Sequence, residues 1–236
     1  MINTQKRLFS LVIAFSVTEL VLGILVQTTG GTLNKLVSFL VVILACLACA
    51  LLFTKTKAYY FTQIALVCTV FADLFLVVLT PVQRELAMVF FSGTQICYFL
   101  RLYLEHQTKK QRIIHLVART SAVVLSLILT ALVLKEKTDF LSLISLFYYA
   151  NLIINVVYSF IQVKKSLVFA IGLTLFALCD LFVGFSVLGS LYLKLEQGTL
   201  LYWFAHPGIN LAWIFYVPSQ ALLPLSLLKT KMNHLK

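Results

Sequence analysis

The stretch CTVFADLFLVV, residues 68–78, places a carboxylate, Asp73, in the middle of an otherwise apolar run. A second stretch, LTLFALCDLFVGFS at residues 173–186, does the same with Asp180. Both runs are typical of membrane-spanning helices, in which an ionisable side chain is costly and normally faces the bundle interior or a wet cavity. We therefore expect both acids to lie inside a helix bundle.

The composition around these stretches is that of an integral membrane protein. Of the 236 residues, 61% are hydrophobic and 11% are charged, whereas soluble domains carry about 25% charged residues. The net charge of +11 does not indicate a nucleic-acid partner, because the Lys and Arg residues lie mostly in short loops between apolar runs. The five cysteines lie within apolar runs and are predicted to be buried free thiols.

Apolar runs of near-spanning length predict a single all-α domain over residues 1–236, an eight-helix transmembrane bundle. The first run follows Lys6 and Arg7 without a cleavage site behind it, so it is interpreted as a membrane helix. The predicted helices cover residues 8–27, 36–53, 59–80, 86–104, 113–134, 140–161, 166–189 and 201–228.

The loop charges predict the orientation of these helices. With eight helices, the side that carries both termini has twelve basic residues: Lys6, Arg7, Lys55, Lys57, Lys109, Lys110, Arg112, Lys164, Lys165, Lys229, Lys231 and Lys236. The other side has five: Lys35, Arg84, Lys135, Lys137 and Lys194. The positive-inside rule therefore predicts a multi-pass protein of the cell membrane with both termini in the cytoplasm.

The two acidic stretches also indicate an internal duplication. Asp73 and Asp180 each lie on the third helix of a four-helix half, in the similar fragments ADLFLV and CDLFVG. Each half carries a glutamine on its last helix, Gln95 and Gln220. Parallel repeats of this kind occur in membrane proteins.

Several polar residues are expected at one depth in the membrane. At the helical rise of about 1.5 Å per residue, Asp73 and Asp180 lie ~12–15 Å from the outer ends of their helices. The residues predicted near the same depth are Glu19, Gln95, Asn151 and Asn210. A shared cavity would explain this, although Glu19 could instead have a structural partner.

Two polar stripes support the cavity. On the sixth helix the stripe is Tyr148, Asn151, Asn155 and Tyr158; on the eighth it is His206, Asn210, Trp213 and Gln220. Residues at these spacings share one helix face. Hydrogen bonds between helices are the alternative for the first stripe, and simple solvation is the alternative for His206. A third stripe, Arg112, His115 and Arg119, is expected to reach lipid headgroups in preference to substrate.

Two carboxyl groups in one dry site tend to share a proton, which provides a general acid and a general base. The sequence contains no GxSxG, HExxH or P-loop motif. An acid-labile bond such as a vinyl ether suits this chemistry. A proton-coupled carrier would also use buried Asp residues. No cofactor or metal is expected, since a metal site normally has three or more protein ligands.

Four motifs resemble the YhhN-like membrane proteins, whose characterised members are lysoplasmalogenases with eight predicted helices. VFADLFL resembles the family's S-x-x-G-D segment, LFALCDLFVG its L-F-x-x-S-D segment, FFSGTQICYF its F-x-x-x-H-x-x-Y motif, and WIFYVPSQALLPLS its closing Y-Y-x-x-Q segment. The departures are Gln95 in place of His, Ala72 in place of Gly and Cys179 in place of Ser.

The resemblance implies an ether hydrolase that acts on a lysophospholipid, with Asp73 and Asp180 as its acidic residues. It also implies site roles for Tyr98, Tyr216 and Gln220. The expected substrate contacts are Glu19, Gln95, Tyr98, Asn151, His206, Asn210, Tyr216 and Gln220. Membrane lipids are the other expected partners. A transporter or a non-enzymatic lipid-binding protein with the same Asp pair is the alternative.

Overall fold

The computed structural model describes residues 2–52, 54–104, 108–164, 166–192, 196–206 and 209–234. Within these ranges the chain is almost entirely helical and contains no β-strand. Its helices are α1 (Ile2–Thr28), α2 (Gly31–Leu51), α3 (Lys57–Asp73), α4 (Arg84–Leu104), α5 (Lys109–Leu134), α6 (Phe140–Ile161), α7 (Leu167–Val187), α8 (Leu200–Ala205), α9 (Leu211–Leu225) and α10 (Leu228–His234). Two π-helical segments, Leu74–Val78 and Leu188–Tyr192, extend α3 and α7.

Eight helical segments in the described ranges are long and apolar enough to cross a membrane. They are Gln5–Thr28, Gly31–Leu51, Lys57–Val78, Arg84–Leu104, Lys109–Lys137, Phe140–Ile161, Leu167–Tyr192 and Leu211–Met232. The predicted all-α, eight-helix transmembrane fold is therefore confirmed. Of the loop lysines counted above, Lys165, Lys194 and Lys236 lie outside the described residues.

The predicted helix bounds are close except in the last segment. The prediction of one helix over residues 201–228 is wrong, because α8 ends at Ala205 and α9 begins at Leu211. The sequence between them contains Pro207 and Gly208, which lie outside the described residues. Proline lacks the backbone N–H that a helix interior uses and glycine has a low helix propensity, so a helix is not expected to continue through this Pro-Gly sequence.

The two halves of the chain repeat the same helix neighbours. In the first half α1 packs on α2, α2 on α3, and α3 on α4; in the second, α5 packs on α6, α6 on α7, and α7 on α9. Contacts of α4 with α6 and of α2 with α9 join the halves. This arrangement fits the predicted duplication, which stays a prediction.

A hydrogen-bond network around Asp139 fixes the start of α6, the helix that carries the predicted polar stripe. The Asp139 carboxylate caps the helix by accepting a 2.8 Å hydrogen bond from the Ser142 backbone N–H. The Tyr192 hydroxyl at the end of the α7 segment donates to the same carboxylate at 2.9 Å. Lys137 Nζ donates to the Tyr192 carbonyl at 2.6 Å. The register of α6 against α7 is thereby set at one end of the membrane.

A glycine brings α7 close to α9. A Cβ atom built on Gly172 would stand 3.3 Å from Leu223 side-chain atoms and 3.4 Å from Leu222 Cβ. Gly184, on the same helix, would have no atom within 4 Å of its Cβ. The close approach at Gly172 places the inward-facing residues of α9 against α7.

Gly172→Val is expected to destabilise the protein by about 1–3 kcal/mol, because overpacking a close contact displaces its neighbours. Gly184→Val is the matched control on the same helix and is expected to have a smaller effect. Thermal unfolding of both variants in detergent measures the difference. Equal melting temperatures for the two variants would show that the α7–α9 contact is not tight.

Candidate functional site

The two acids of the sequence motifs are brought together by four helices. Asp73 is the last residue of α3, 3% exposed, and its Oδ2 accepts a 2.6 Å hydrogen bond from the Tyr216 hydroxyl of α9. Asp180 of α7 accepts a short hydrogen bond from the Tyr148 hydroxyl of α6. The two carboxyl groups interact electrostatically, and Tyr216 interacts with both. Asp73, Asp180, Tyr148 and Tyr216 are called the acid site below.

Apolar rings surround the acid site. The Phe91 ring lies 5.6 Å from that of Tyr148, and the Phe176 ring lies 5.8 Å from that of Tyr216, centroid to centroid. The π-helical segment Leu74–Val78 begins directly after Asp73, and π-helical turns are frequent at functional sites. Each carboxyl thus has one fixed phenol donor in surroundings that otherwise offer little hydration.

The acid site adjoins open space on one side. Asp180 is partly exposed whereas Asp73 is buried. Gly184 lies one turn beyond Asp180 and has nothing within 4 Å of its Cβ position. A ligand can therefore approach Asp180 from the side of Gly184.

A second polar centre lies between α4, α5 and α6. The Arg119 guanidinium donates to Asn151 Oδ1 through one terminal nitrogen and to Asn155 Oδ1 through the other. The Asn155 amide donates in turn to the Gln95 backbone carbonyl at 2.9 Å and to its Oε1 at 3.0 Å. His115 Nε2 lies 3.4 Å from an Arg119 nitrogen. These five residues are called the Arg119 cluster below.

The interpretation of the α5 basic stripe as a headgroup contact is wrong for two of its members. His115 is 0% and Arg119 8% exposed, and the His115 ring stacks on Tyr158 with centroids 3.5 Å apart. Arg119 lies ten residues into α5, ~15 Å along the helix axis, which is too deep for its side chain to reach the headgroups. Arg112, at the start of α5, lies over the Tyr103 ring at 5.5 Å.

The structure brings the two predicted amide residues Gln95 and Asn151 into the Arg119 cluster. Tyr98 and Gln220 are 0% exposed. The Tyr98 hydroxyl, the Gln95 Nε2 and both side-chain polar atoms of Gln220 have no hydrogen-bond partner among the described residues. Buried polar atoms without partners are rare in folded proteins, so these are positions where water or a ligand group is expected.

Three predicted site residues lie elsewhere. Glu19 is buried where α1 packs on α9 and lines a groove with Val217 and Ala221, not with residues of the acid site. His206 and Asn210 are exposed. They lie in the interruption between α8 and α9, so the predicted stripe on the eighth helix is not one continuous face.

Sequence analysis did not assign site roles to Tyr148, Asn155, His115 and Arg119. Tyr148 and Asn155 were in the predicted α6 stripe, and His115 and Arg119 were in the predicted α5 stripe. Polar stripes on consecutive membrane helices find no partner in lipid and must therefore face each other. Comparing the two stripes would have indicated the Arg119 cluster.

The donor set at the acid site is two carboxylates and two phenols. Among the residues that the structure describes, no group of three or more His, Cys, Asp or Glu side chains could hold a metal ion. All five cysteines are free thiols, as predicted, but only Cys49 and Cys179 are buried, and the other three are partly buried. The Cys179 thiol, next to Asp180, interacts with the Asp180 carboxyl.

Asn155→Ala is expected to destabilise the protein by about 1–3 kcal/mol, because it leaves buried Arg119 and Gln95 groups without a partner. Asn210→Ala is the matched control, since Asn210 is exposed and makes no side-chain cap hydrogen bond. Unfolding of both variants in detergent gives the comparison. A similar loss from Asn210→Ala would contradict the different placement of the two asparagines.

A comparison with protein families identifies the family of the chain. A sequence model of the YhhN family matches residues 32–227, a range that includes every member of the acid site and of the Arg119 cluster. No curated protein sequence and no solved structure gave a match. Because the matched range is more than half of the chain, this protein is a member of the YhhN family.

Proposed function

We propose that this protein is a membrane hydrolase that cleaves the vinyl ether bond of lysoplasmalogen-type lysophospholipids, with Asp73 and Asp180 as the acid–base pair. The observation that carries the proposal is the acid site, in which two membrane-embedded carboxyl groups interact and each accepts a hydrogen bond from a tyrosine. The likeness of its motifs to those of lysoplasmalogenases adds the substrate class.

The chemistry begins with one protonated and one ionised carboxyl group. The protonated acid transfers its proton to the β-carbon of the vinyl ether, which forms an oxocarbenium ion at the α-carbon. The ionised acid stabilises this cation and takes a proton from the water that attacks the α-carbon, which gives a hemiacetal. In the collapse of the hemiacetal, the carboxyl group that took the water's proton gives it to the glycerol oxygen as the bond between that oxygen and the α-carbon breaks, and the other carboxylate takes the hydroxyl proton of the hemiacetal. The products are an aldehyde and a glycerophosphodiester, and both carboxyl groups return to their starting states.

The two tyrosines hold the carboxyl groups in position. A phenol donor fixes one oxygen of each carboxyl and leaves the other oxygen for proton transfer. Since these hydrogen bonds stabilise the ionised form, they also keep one acid able to act as a base. The Phe91 and Phe176 rings beside the tyrosines reduce the hydration of the acid site.

Gln95 occupies the position at which the family motif has a histidine, and the proposed mechanism does not require a histidine there. A glutamine cannot exchange a proton, so the proton transfers belong to the carboxyl groups. Gln95 and Asn151 would contact polar parts of the substrate from the Arg119 cluster. Tyr98 and Gln220, whose polar atoms are buried and unpartnered, would orient the glycerol or the water.

The loop charges support a location in the cell membrane with both termini in the cytoplasm. An even number of crossings places the termini on one side, and that side carries the larger number of lysines and arginines.

Asp73→Asn and Asp180→Asn are expected to lower aldehyde release from lysoplasmenyl-ethanolamine by at least about 100-fold, the usual scale of general acid–base catalysis. Purified protein in detergent is assayed for the aldehyde. Glu19→Gln is the matched control, because it makes the same acid-to-amide change on a membrane helix outside the acid site.

No aldehyde from folded wild-type protein that binds the lipid would contradict the hydrolase proposal for this substrate. The transport or lipid-binding alternative would then apply. Full activity of either Asp→Asn variant would contradict the acid–base pair.

Tyr148→Phe and Tyr216→Phe are each expected to lower the aldehyde release rate by about 10-fold or more, since a hydrogen bond to a charged group contributes about 1.5–3 kcal/mol. Tyr149→Phe is the control on the same helix, because its hydroxyl lies within electrostatic range of Asp180 but contacts the Ala177 carbonyl, at 3.5 Å, and not the carboxyl. The same assay compares the three variants, and an equal loss in all three would mean that the phenols have no specific role.

A further inference from the structure

The charge of Arg119 has no anionic partner in the described part of the chain. Its terminal nitrogens meet neutral amide oxygens of Asn151 and Asn155, and its guanidinium carbon lies 4.2 Å above the Phe99 ring. A buried ionised group is costly unless it is paired. The guanidinium is therefore oriented by neutral groups and its charge is left for an anion.

Further nitrogens of the Arg119 cluster are also unpartnered. Arg119 Nε, His115 Nδ1 and Gln95 Nε2 are buried, and none has a hydrogen-bond partner among the described residues. Gln95 Nε2 belongs to α4, whereas His115 Nδ1 and Arg119 Nε belong to α5. Unpartnered nitrogens beside a buried positive charge are groups that can recognise a phosphate oxygen.

The α6 stripe relates this centre to the acid site. Tyr148 contacts Asp180, whereas Asn151 and Asn155 contact Arg119. The three positions share one helix face, and the rise from Tyr148 is ~5 Å to Asn151 and ~10 Å to Asn155. A lysophospholipid has its sn-1 ether and its phosphate at opposite ends of a three-carbon glycerol, a separation of comparable length.

The basic stripe of α5 offers a route from the membrane surface. Arg112 at the helix start has a buried, unpartnered Nε, and it is followed along the same face by His115 and Arg119. The neighbouring positions Val117 and Leu125 of α5 are 60% and 57% exposed, so this helix borders lipid. The stripe thus runs from the lipid-bordering start of α5 to the buried Arg119.

We propose that the Arg119 cluster is the binding site for the substrate's phosphate, with Arg119 as the charged contact and Asn151 and Asn155 as its positioning residues. The proposal rests on the proposed function for the identity of the lipid. The ligand is then a glycerophospholipid with one chain. Arg119 selects phospholipids over neutral ether lipids.

Binding in an Asp180→Asn background, in which turnover is blocked, tests the proposal directly. Tryptophan fluorescence titration compares lysophosphatidylethanolamine with a phosphate-free 1-alkylglycerol of equal chain length. Arg119→Gln is expected to weaken binding of the phospholipid at least about 10-fold and to leave binding of the alkylglycerol unchanged. Lys110→Gln, an exposed charge loss on the same helix, is expected to change neither.

An equal loss for both lipids, or no loss for the phospholipid, would overturn the proposal. If Arg119→Gln does not fold, Arg119→Lys gives the answer: a smaller loss for the phospholipid alone supports the phosphate contact, and no loss contradicts it. Inorganic phosphate and glycerophosphoethanolamine serve as competitors. Displacement by glycerophosphoethanolamine supports a headgroup site, whereas a protein that binds inorganic phosphate but not the lipid would overturn it.

Binding and aldehyde release together distinguish failure of the phosphate-site proposal from failure of the hydrolase proposal. Binding that depends on Arg119 and on the lipid's phosphate, from protein that releases no aldehyde, would support the phosphate site and reject the hydrolase. Aldehyde release with no effect of Arg119→Gln on phospholipid binding would do the reverse.

Discussion

The hydrocarbon interior of a membrane offers polar groups no hydrogen-bond partner, and the arrangement of this protein depends on that constraint. Polar side chains on its spanning helices must meet each other or a ligand. Helix α6 is the clearest case of such contacts between polar side chains. One of its faces contacts α7 through Tyr148 and α5 through Asn151, Asn155 and Tyr158. The capping network at Asp139 fixes where that face begins.

Two centres of opposite charge therefore contact one face of α6 without neutralising each other. Asp73 and Asp180 accept from phenols, and Arg119 donates to amides. A direct Asp–Arg pair would satisfy both charges but would hold the acid ionised and remove it from proton transfer. Neutral partners fix the geometry of each centre and leave its charge available. Because the acids and Arg119 are kept apart, we infer that these buried charges serve function and not the stability of the fold.

The fold could be predicted from the sequence because apolar runs of spanning length are a strong signal, and the eight spans followed from them. That Asp73 and Asp180 meet polar groups of neighbouring helices could also be expected, since an acid in a membrane helix needs a partner, and their joint catalytic role stays a prediction. The break before α9 was missed because Pro218 and Pro224 lie inside α9 without ending it, so proline alone does not mark a boundary in this chain. The burial of Arg119 was missed because a single helix shows its own polar face but not the face that meets it. Glu19 was misplaced because equal depth does not specify which side of α9 a residue approaches.

The π-helical segment after Asp73 has a consequence for how the chain can change during evolution. A π-helical turn corresponds to one extra residue in an α-helix, and each residue turns the helix by about 100°. Deletion of one residue from Leu74–Val78 would restore regular winding and rotate Asp73 relative to the chain that follows this segment. The direction of the Asp73 carboxyl towards Tyr216 is thus linked to the length of a segment that contains no other polar side chain. In this segment the count of residues matters more than their identity, so apolar substitutions should be tolerated where insertions and deletions are not.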